Sequence, residues 1–269
     1  GDVYKRQVED GSRANGWYEI DGSSDTGTDG DTDWYYFDDG EPERADSSRD
    51  LLDIADGDGA PVYRAKIKID GKYFCFNEMG QMQTGLQYIP KDKAFYYFDD
   101  NGYMQTGKES NVEDDDDSFN YYFITKNGKN GQGQKGEKDG YLYFEGKRIE
   151  ADDDYRVVYY EGAYYLVNNK GKIQDSKSKK YDVENGNGLT DVQFTFSGNK
   201  ITGIVEIDGE KATDEDWADL REAATIPYVS LYDGYFTYEI ETEGSGNSAD
   251  IPGTGLKWFT ADKAPSWVD

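Results

Sequence analysis

The chain repeats one short phrase. Gly80-Gln81-Met82-Gln83-Thr84-Gly85 returns 22 residues later as Gly102-Tyr103-Met104-Gln105-Thr106-Gly107. Between the copies lie Phe95-Tyr96-Tyr97-Phe98 and a turn signal. The grammar recurs along most of the chain. Trp34-Tyr35-Tyr36-Phe37 precedes Asp38-Asp39-Gly40, and Lys72-Tyr73-Phe74-Cys75-Phe76 precedes Asn77-Glu78-Met79-Gly80. Aromatic runs at 121–124, 141–144, 164–167 and 194–196 are likewise followed by Asn-Gly, Glu-Gly, Lys-Gly or Ser-Gly. Asp70-Gly71, between Ile67-Lys68-Ile69 and the next aromatic run, suits a tight hairpin because both positions tolerate positive φ. Aromatic strands spaced mostly 20 to 25 residues apart and divided by turn residues predict a hairpin repeat.

The physical reason for repetition lies in the strand itself. A lone two-stranded hairpin is marginal in water. Alternate side chains point to opposite faces, so Tyr96 and Phe98 face one way, Phe95 and Tyr97 the other. Both faces carry rings and both need cover. Stacked hairpins supply it, each rung stabilised by its neighbours. The expected fold is all-β: a β-solenoid of stacked hairpins over residues 8–207, with a short helix and a small β region in 208–269. Thr213 before Asp214-Glu215-Asp216, with Trp217, Leu220 and Ala224 at helical spacing, predicts the helix at about 214–224. A strand-like run from Tyr228 to Glu241, broken at Asp233-Gly234, follows. Polar segments at 108–118 and 174–191 read as loops, 41–60 as an acidic insertion, and 243–256 as a flexible Gly/Ser-rich tail that precedes Trp258 and Trp267. Residues 1–7 match the translation of a sequencing-library adapter, the mark of a metagenomic fragment, and are set aside.

Composition narrows the function. Only 35% of residues are hydrophobic, and 24 Tyr and 12 Phe swell that count, so a thin aromatic stack is expected rather than a deep aliphatic core. A formal net charge of −27 repels nucleic acid and anionic lipid. Histidine is absent, which removes the commonest general base and metal ligand. The single cysteine, Cys75, reads as a buried small hydrophobe. No stretch approaches 18 apolar residues, so membrane insertion is not expected. Asp25-Thr26-Gly27-Thr28-Asp29-Gly30 and Asp56-Gly57-Asp58-Gly59 are similar to calcium loops but lack the bidentate Glu at the twelfth position, and read as solvated turns. Paired acids such as Asp152-Asp153-Asp154 are too common here to signal glycoside hydrolysis, which needs two carboxyls set apart in a cleft. The reading is not an enzyme, with no cofactor and no metal.

Aromatic strand, Asp/Asn-Gly turn and Gly-x-Met-x-Thr-Gly together resemble the cell-wall-binding repeats of Gram-positive surface proteins, a family that includes choline-binding, glucan-binding and clostridial toxin repeats. The resemblance is clearest over 65–107, degenerate over 16–45 and 108–207, and absent after about 210. It implies an extracellular solenoid that binds surface choline or carbohydrate between consecutive hairpins. Carried over by motif, the ligand-binding candidates are Trp17, Trp34, Tyr35, Tyr73, Phe74, Met82, Phe95, Tyr96 and Met104. Gly85-Leu86 and Gly107-Lys108 stand where the family has Gly-Trp. Losing that ring removes a wall from a quaternary-ammonium cage, which favours sugar over choline in 80–130. The implied partner is a cell-surface glycan or choline-decorated polymer. Three alternatives stand beside this: a structural spacer with degenerate repeats, choline binding near Trp17 and Trp34, and the targeting module of a larger enzyme or toxin.

Overall fold

A computed structural model describes residues 12–22, 32–46, 51–52, 62–92, 94–114, 117–232 and 235–242. The adapter-like start, both calcium-like loops, the Gly/Ser-rich tail, Trp258 and Trp267 lie outside the described residues. The chain is mostly strand with one α-helix among the described residues, and it divides into two compact units. One comprises Gly1–Glu113 with Phe123–Gln132, the other Asp114–Tyr122 with Gly133–Asp269.

The first unit is built from small antiparallel hairpins. Gly16–Asp21 pairs with Thr32–Asp38, Ala65–Ile69 with Lys72–Phe76, and Gly85–Ile89 with Ala94–Phe98. The turn predicted at Asp70-Gly71 forms, with φ of 48° and 86°. Each hairpin has two apolar faces, as the alternation requires. The second hairpin places Phe74 and Phe76 against Trp17 and Tyr36 of the first. Its opposite face carries Cys75, which packs with Ile89, Ala94, Tyr96 and Phe98 of the third. Cys75 is fully buried, and burial pushes its thiol up to about 12, against the pull of nearby Arg64.

The repeated phrase is a repeated turn. Asn77 Oδ1 accepts from the backbone N–H of Met79 and Gln81, and Asp99 Oδ1 accepts from Asn101 and Tyr103 in the same way. Gln83 Nε2 then donates to the Gln81 carbonyl, as Gln105 Nε2 does to that of Tyr103. These side chains satisfy backbone groups that the hairpin ladder leaves free. In the second unit, Asn168 Oδ1 accepts from Lys170 and Lys172, and Gln174 Nε2 donates to the Lys172 carbonyl. The turn has survived there although the phrase around it has changed.

The second unit departs from the expected thin stack. Strands Tyr155–Tyr160, Ala163–Asn168, Lys200–Ile207, Leu189–Ser197 and Lys180–Val183 pair in that order, and the last pairs back onto the first in parallel. The circuit closes around Val157, Leu166, Val183, Val192, Phe194, Phe196 and Ile201, with Leu220 and Ala224 packed into the same core. A deeper core of mixed aliphatic and aromatic residues therefore exists here, in a stretch richer in Val, Ile and Leu than the hairpins before it. The loop expected at 174–191 is corrected: Lys180–Val183 is a strand that buries Tyr181 and Val183 and exposes Lys180 and Asp182. The loop expected at 108–118 is also corrected, since Gly107–Asp114 and Asp117–Phe123 are both strands.

Helix Asp214–Glu222 lies within its predicted span. Thr213 caps it: its hydroxyl accepts from Asp216 N–H, while Asp216 accepts from Thr213 N–H, so two orphan donors are satisfied. Hairpin Thr225–Tyr232 and Tyr235–Thr242 follows. No helix among the described residues is long and apolar enough to cross a membrane.

Candidate functional site

The first hairpin presents two unlike faces. Tyr18, Ile20, Tyr35 and Phe37 pack together with Ala14 on one. Strand register puts Trp17 opposite Tyr36 and Glu19 opposite Trp34 on the other. Trp17 is engaged on both sides, edge-on to Tyr36 at 5.2 Å and tilted on Phe74 at 4.7 Å. Trp34 differs: its side chain is 42% exposed, the largest open ring among the described residues, and the Glu19 carboxylate is its cross-strand neighbour. An exposed indole beside a carboxylate can stack on the face of a sugar while the acid accepts a hydroxyl proton. It can equally hold an organic cation.

The other candidates serve the packing of one repeat on the next. A Cβ at Gly102 would lie 2.4 Å from Met82 Sδ and 3.1 Å from Phe74 Cδ1. At Gly131 it would lie 2.6 Å from Met104 Sδ and 3.0 Å from Tyr96 Cδ1, and at Gly80 3.4 Å from Tyr35 Cδ1. Met82, Met104, Phe74, Tyr96 and Tyr35 thus form the floors on which later backbone sits. Phe95 is 1% exposed and packs edge-on to Tyr88 at 5.0 Å. The structure does not bring the nine candidates into one pocket, because strand alternation sends neighbours such as Trp34 and Tyr35 to opposite faces.

Tyr73 is half-buried in the seam between the second and third hairpins, beside an arrangement the motif did not disclose. Lys66 Nζ lies 4.2 Å from the Tyr96 ring centroid and 5.2 Å from that of Tyr73. It also donates to the Tyr96 oxygen at 2.9 Å and pairs with Asp92 Oδ2 at 2.9 Å, while Tyr96 donates to the same carboxylate at 2.7 Å. Burial alone would raise the Asp92 carboxyl, but hydrogen bonds from Lys66 and Tyr96 outweigh it and hold the group below the usual range. Burial raises the Tyr96 phenol, and Asp92 raises it further. A second cation, Lys72 Nζ, stands 3.6 Å from the ring centroid of Tyr103, which in turn meets Phe74 edge-on at 5.5 Å. Tyr36, Glu19, Lys66 and Asp92 were not singled out from the sequence. Strand register brings Glu19 and Tyr36 to the tryptophans, and the contact between hairpins brings Lys66 and Asp92 to Tyr96.

No group of three or more His, Cys, Asp or Glu among the described residues is placed to hold a metal ion.

No protein-family model and no curated protein matches the chain. Solved structures similar to it include CbpF in complex with ipratropium, at 19% identity over 71% of this chain and 50% of that one, with a TM-score of 0.42. Choline binding protein F from Streptococcus pneumoniae is matched at 23% identity over 61% of this chain and 49% of that one, TM-score 0.29. CbpJ from Streptococcus pneumoniae TIGR4 is matched at 17% identity over 75% and 70%, TM-score 0.34. The chain spans about half the length of the first two.

Proposed function

We propose that this chain is a non-catalytic, extracellular binding module, with the hairpins of its first unit stacked as a β-solenoid, that docks a surface or secreted protein onto a cell-wall or other surface glycan. The observation that carries the reading is Trp34, a 42% exposed indole on a hairpin whose remaining rings are half-buried or buried. An open indole with a carboxylate across the strand offers an apolar face and a polar partner to one ligand at little cost in conformational freedom. Weak sites of this kind act together when the polymer offers many copies of its unit. A choline-decorated polymer is the second ligand class, favoured by Glu19 across from Trp34, because a carboxylate beside an indole stabilises a quaternary ammonium.

Tryptophan fluorescence on titration with soluble cell-wall glycan fragments, and separately with choline chloride, tests both. The expected result is a saturable change in the wild type that disappears in Trp34→Ala while the fold is retained. A change that survives in Trp34→Ala would move the site elsewhere. No response to either ligand would favour the structural spacer.

A further inference from the structure

We propose that the seam between the second and third hairpins is an organic-cation site, and that the chain fills it with its own Lys66. Register shows why Lys66 is there. In the first hairpin Trp17 lies opposite Tyr36, one step before Phe37. In the third, Leu86 lies opposite Tyr97, one step before Phe98. In the second, the corresponding residue is Lys66, opposite Cys75 and one step before Phe76. A lysine therefore stands where the first hairpin carries its indole, and its stem crosses the buried face rather than reaching water.

The ammonium has the surroundings of a bound ligand. Two rings lie within cation–π range, at 4.2 and 5.2 Å to their centroids. Two acceptors, Asp92 Oδ2 and the Tyr96 oxygen, stand at 2.9 Å each. Only 18% of the Lys66 side chain and 26% of that of Asp92 are exposed. With Lys66 withdrawn, Asp92 keeps the Tyr96 hydrogen bond and the charge of nearby Lys91 but loses its ion pair, and the space left faces two acceptor oxygens that an ammonium can refill. The acceptor pair also sets the ligand class. An ammonium with N–H groups satisfies both oxygens, whereas a quaternary ammonium has no proton to donate. The seam is thus selective for a protonated primary amine, and in the native chain it is closed to any external cation.

Lys66→Ala removes the three outer methylenes and the nitrogen, the atoms of n-propylammonium. Thermal unfolding of this variant is measured in n-propylammonium chloride, choline chloride and sodium chloride at equal concentration. Its Tm is expected to be higher in n-propylammonium than in either other salt, by at least about 3 °C, with no such difference in the wild type. Equal Tm in all three salts, or choline matching n-propylammonium, overturns the proposal. If Lys66→Ala does not fold, NMR of the wild type decides. Ring currents should place the Lys66 ε-methylene signals upfield of the exposed lysines, and Tyr73→Leu should reduce that displacement. Lys66 signals at the exposed-lysine position overturn the proposal equally. Neither readout involves Trp34, so failure here is distinct from failure of the glycan-binding reading.

Discussion

Substituting two glycines separates backbone strain from close packing. Gly71 and Gly102 both hold left-handed backbone, with φ of 86° and 79°. A Cβ at Gly71 would meet nothing within 4 Å, whereas at Gly102 it would meet Met82 Sδ at 2.4 Å and Phe74 Cδ1 at 3.1 Å. Gly71→Ala therefore carries the conformational penalty alone, about 1 kcal/mol. Gly102→Ala carries the same penalty plus overpacking. Overpacking runs about 1–3 kcal/mol, and the lower half applies because the end of a methionine can swing aside while Phe74 is held by Trp17 at 4.7 Å. The expected total is about 2–3 kcal/mol. Urea unfolding followed by tryptophan fluorescence reports it, since Trp17 lies in the seam. Adding Met82→Ala frees the space, so the double variant should be more stable than the sum of the single losses by about 1 kcal/mol or more. If Gly102→Ala unfolds at the same urea concentration as Gly71→Ala, the seat of one repeat on the floor of the last does not hold the stack together.

Three further outcomes follow from the geometry. Asn185 is buried and mimics a strand: its Oδ1 accepts from Val157 N–H at 2.7 Å, and its Nδ2 donates to the carbonyls of Val157 and Ala223 at 3.0 and 2.8 Å. Asn185→Ala leaves two buried and one half-buried backbone group unpaired and should lose about 3 kcal/mol in urea unfolding. Glu184 is burdened by burial, yet the N–H groups of Asp152 and Asp153 and the Arg156 guanidinium hold its carboxyl below the usual range. Its stabilisation is thus full above the unfolded value of about 4.3 and is lost as pH falls through the lower folded value. Glu184→Gln should be the less stable protein at pH 7, with the gap closing below about pH 4 in acid unfolding curves. Cys75, with its thiol raised to about 12 by burial, should resist iodoacetamide at pH 8 in the folded state and react once urea unfolds the chain. Native-state labelling at the unfolded rate would contradict its placement.

The features legible in the sequence are those that a few adjacent residues decide. Asp70-Gly71 forms its turn, Thr213 caps its helix, and Tyr96 and Tyr97 face opposite ways, because dihedral preference and strand alternation act over one to four residues. The strands at 107–114 and 180–183 are not legible locally, because polar residues such as Lys108, Ser110, Lys180 and Asp182 outnumber the few apolar ones. Among the site candidates, the motif named the rings but could not tell floor from platform. Tyr35 and Trp34 are neighbours of one kind, yet one supports Gly80 and the other faces water.

By itself the sequence determined the rungs: which stretches extend, where they turn, and that Asn77, Asp99 and Asn168 are placed to collect backbone donors in their turns. Only the tertiary structure decided what the rungs became. Residues 155–207 carry the same local pattern as the hairpins before them, yet their strands close into a ring because Val183 returns to pair with Tyr155. Lys66 likewise became the occupant of a cage when pairing brought it beside Tyr96 and Asp92. Both outcomes depend on contacts between residues 26 or more positions apart, and local propensity holds no information at that range.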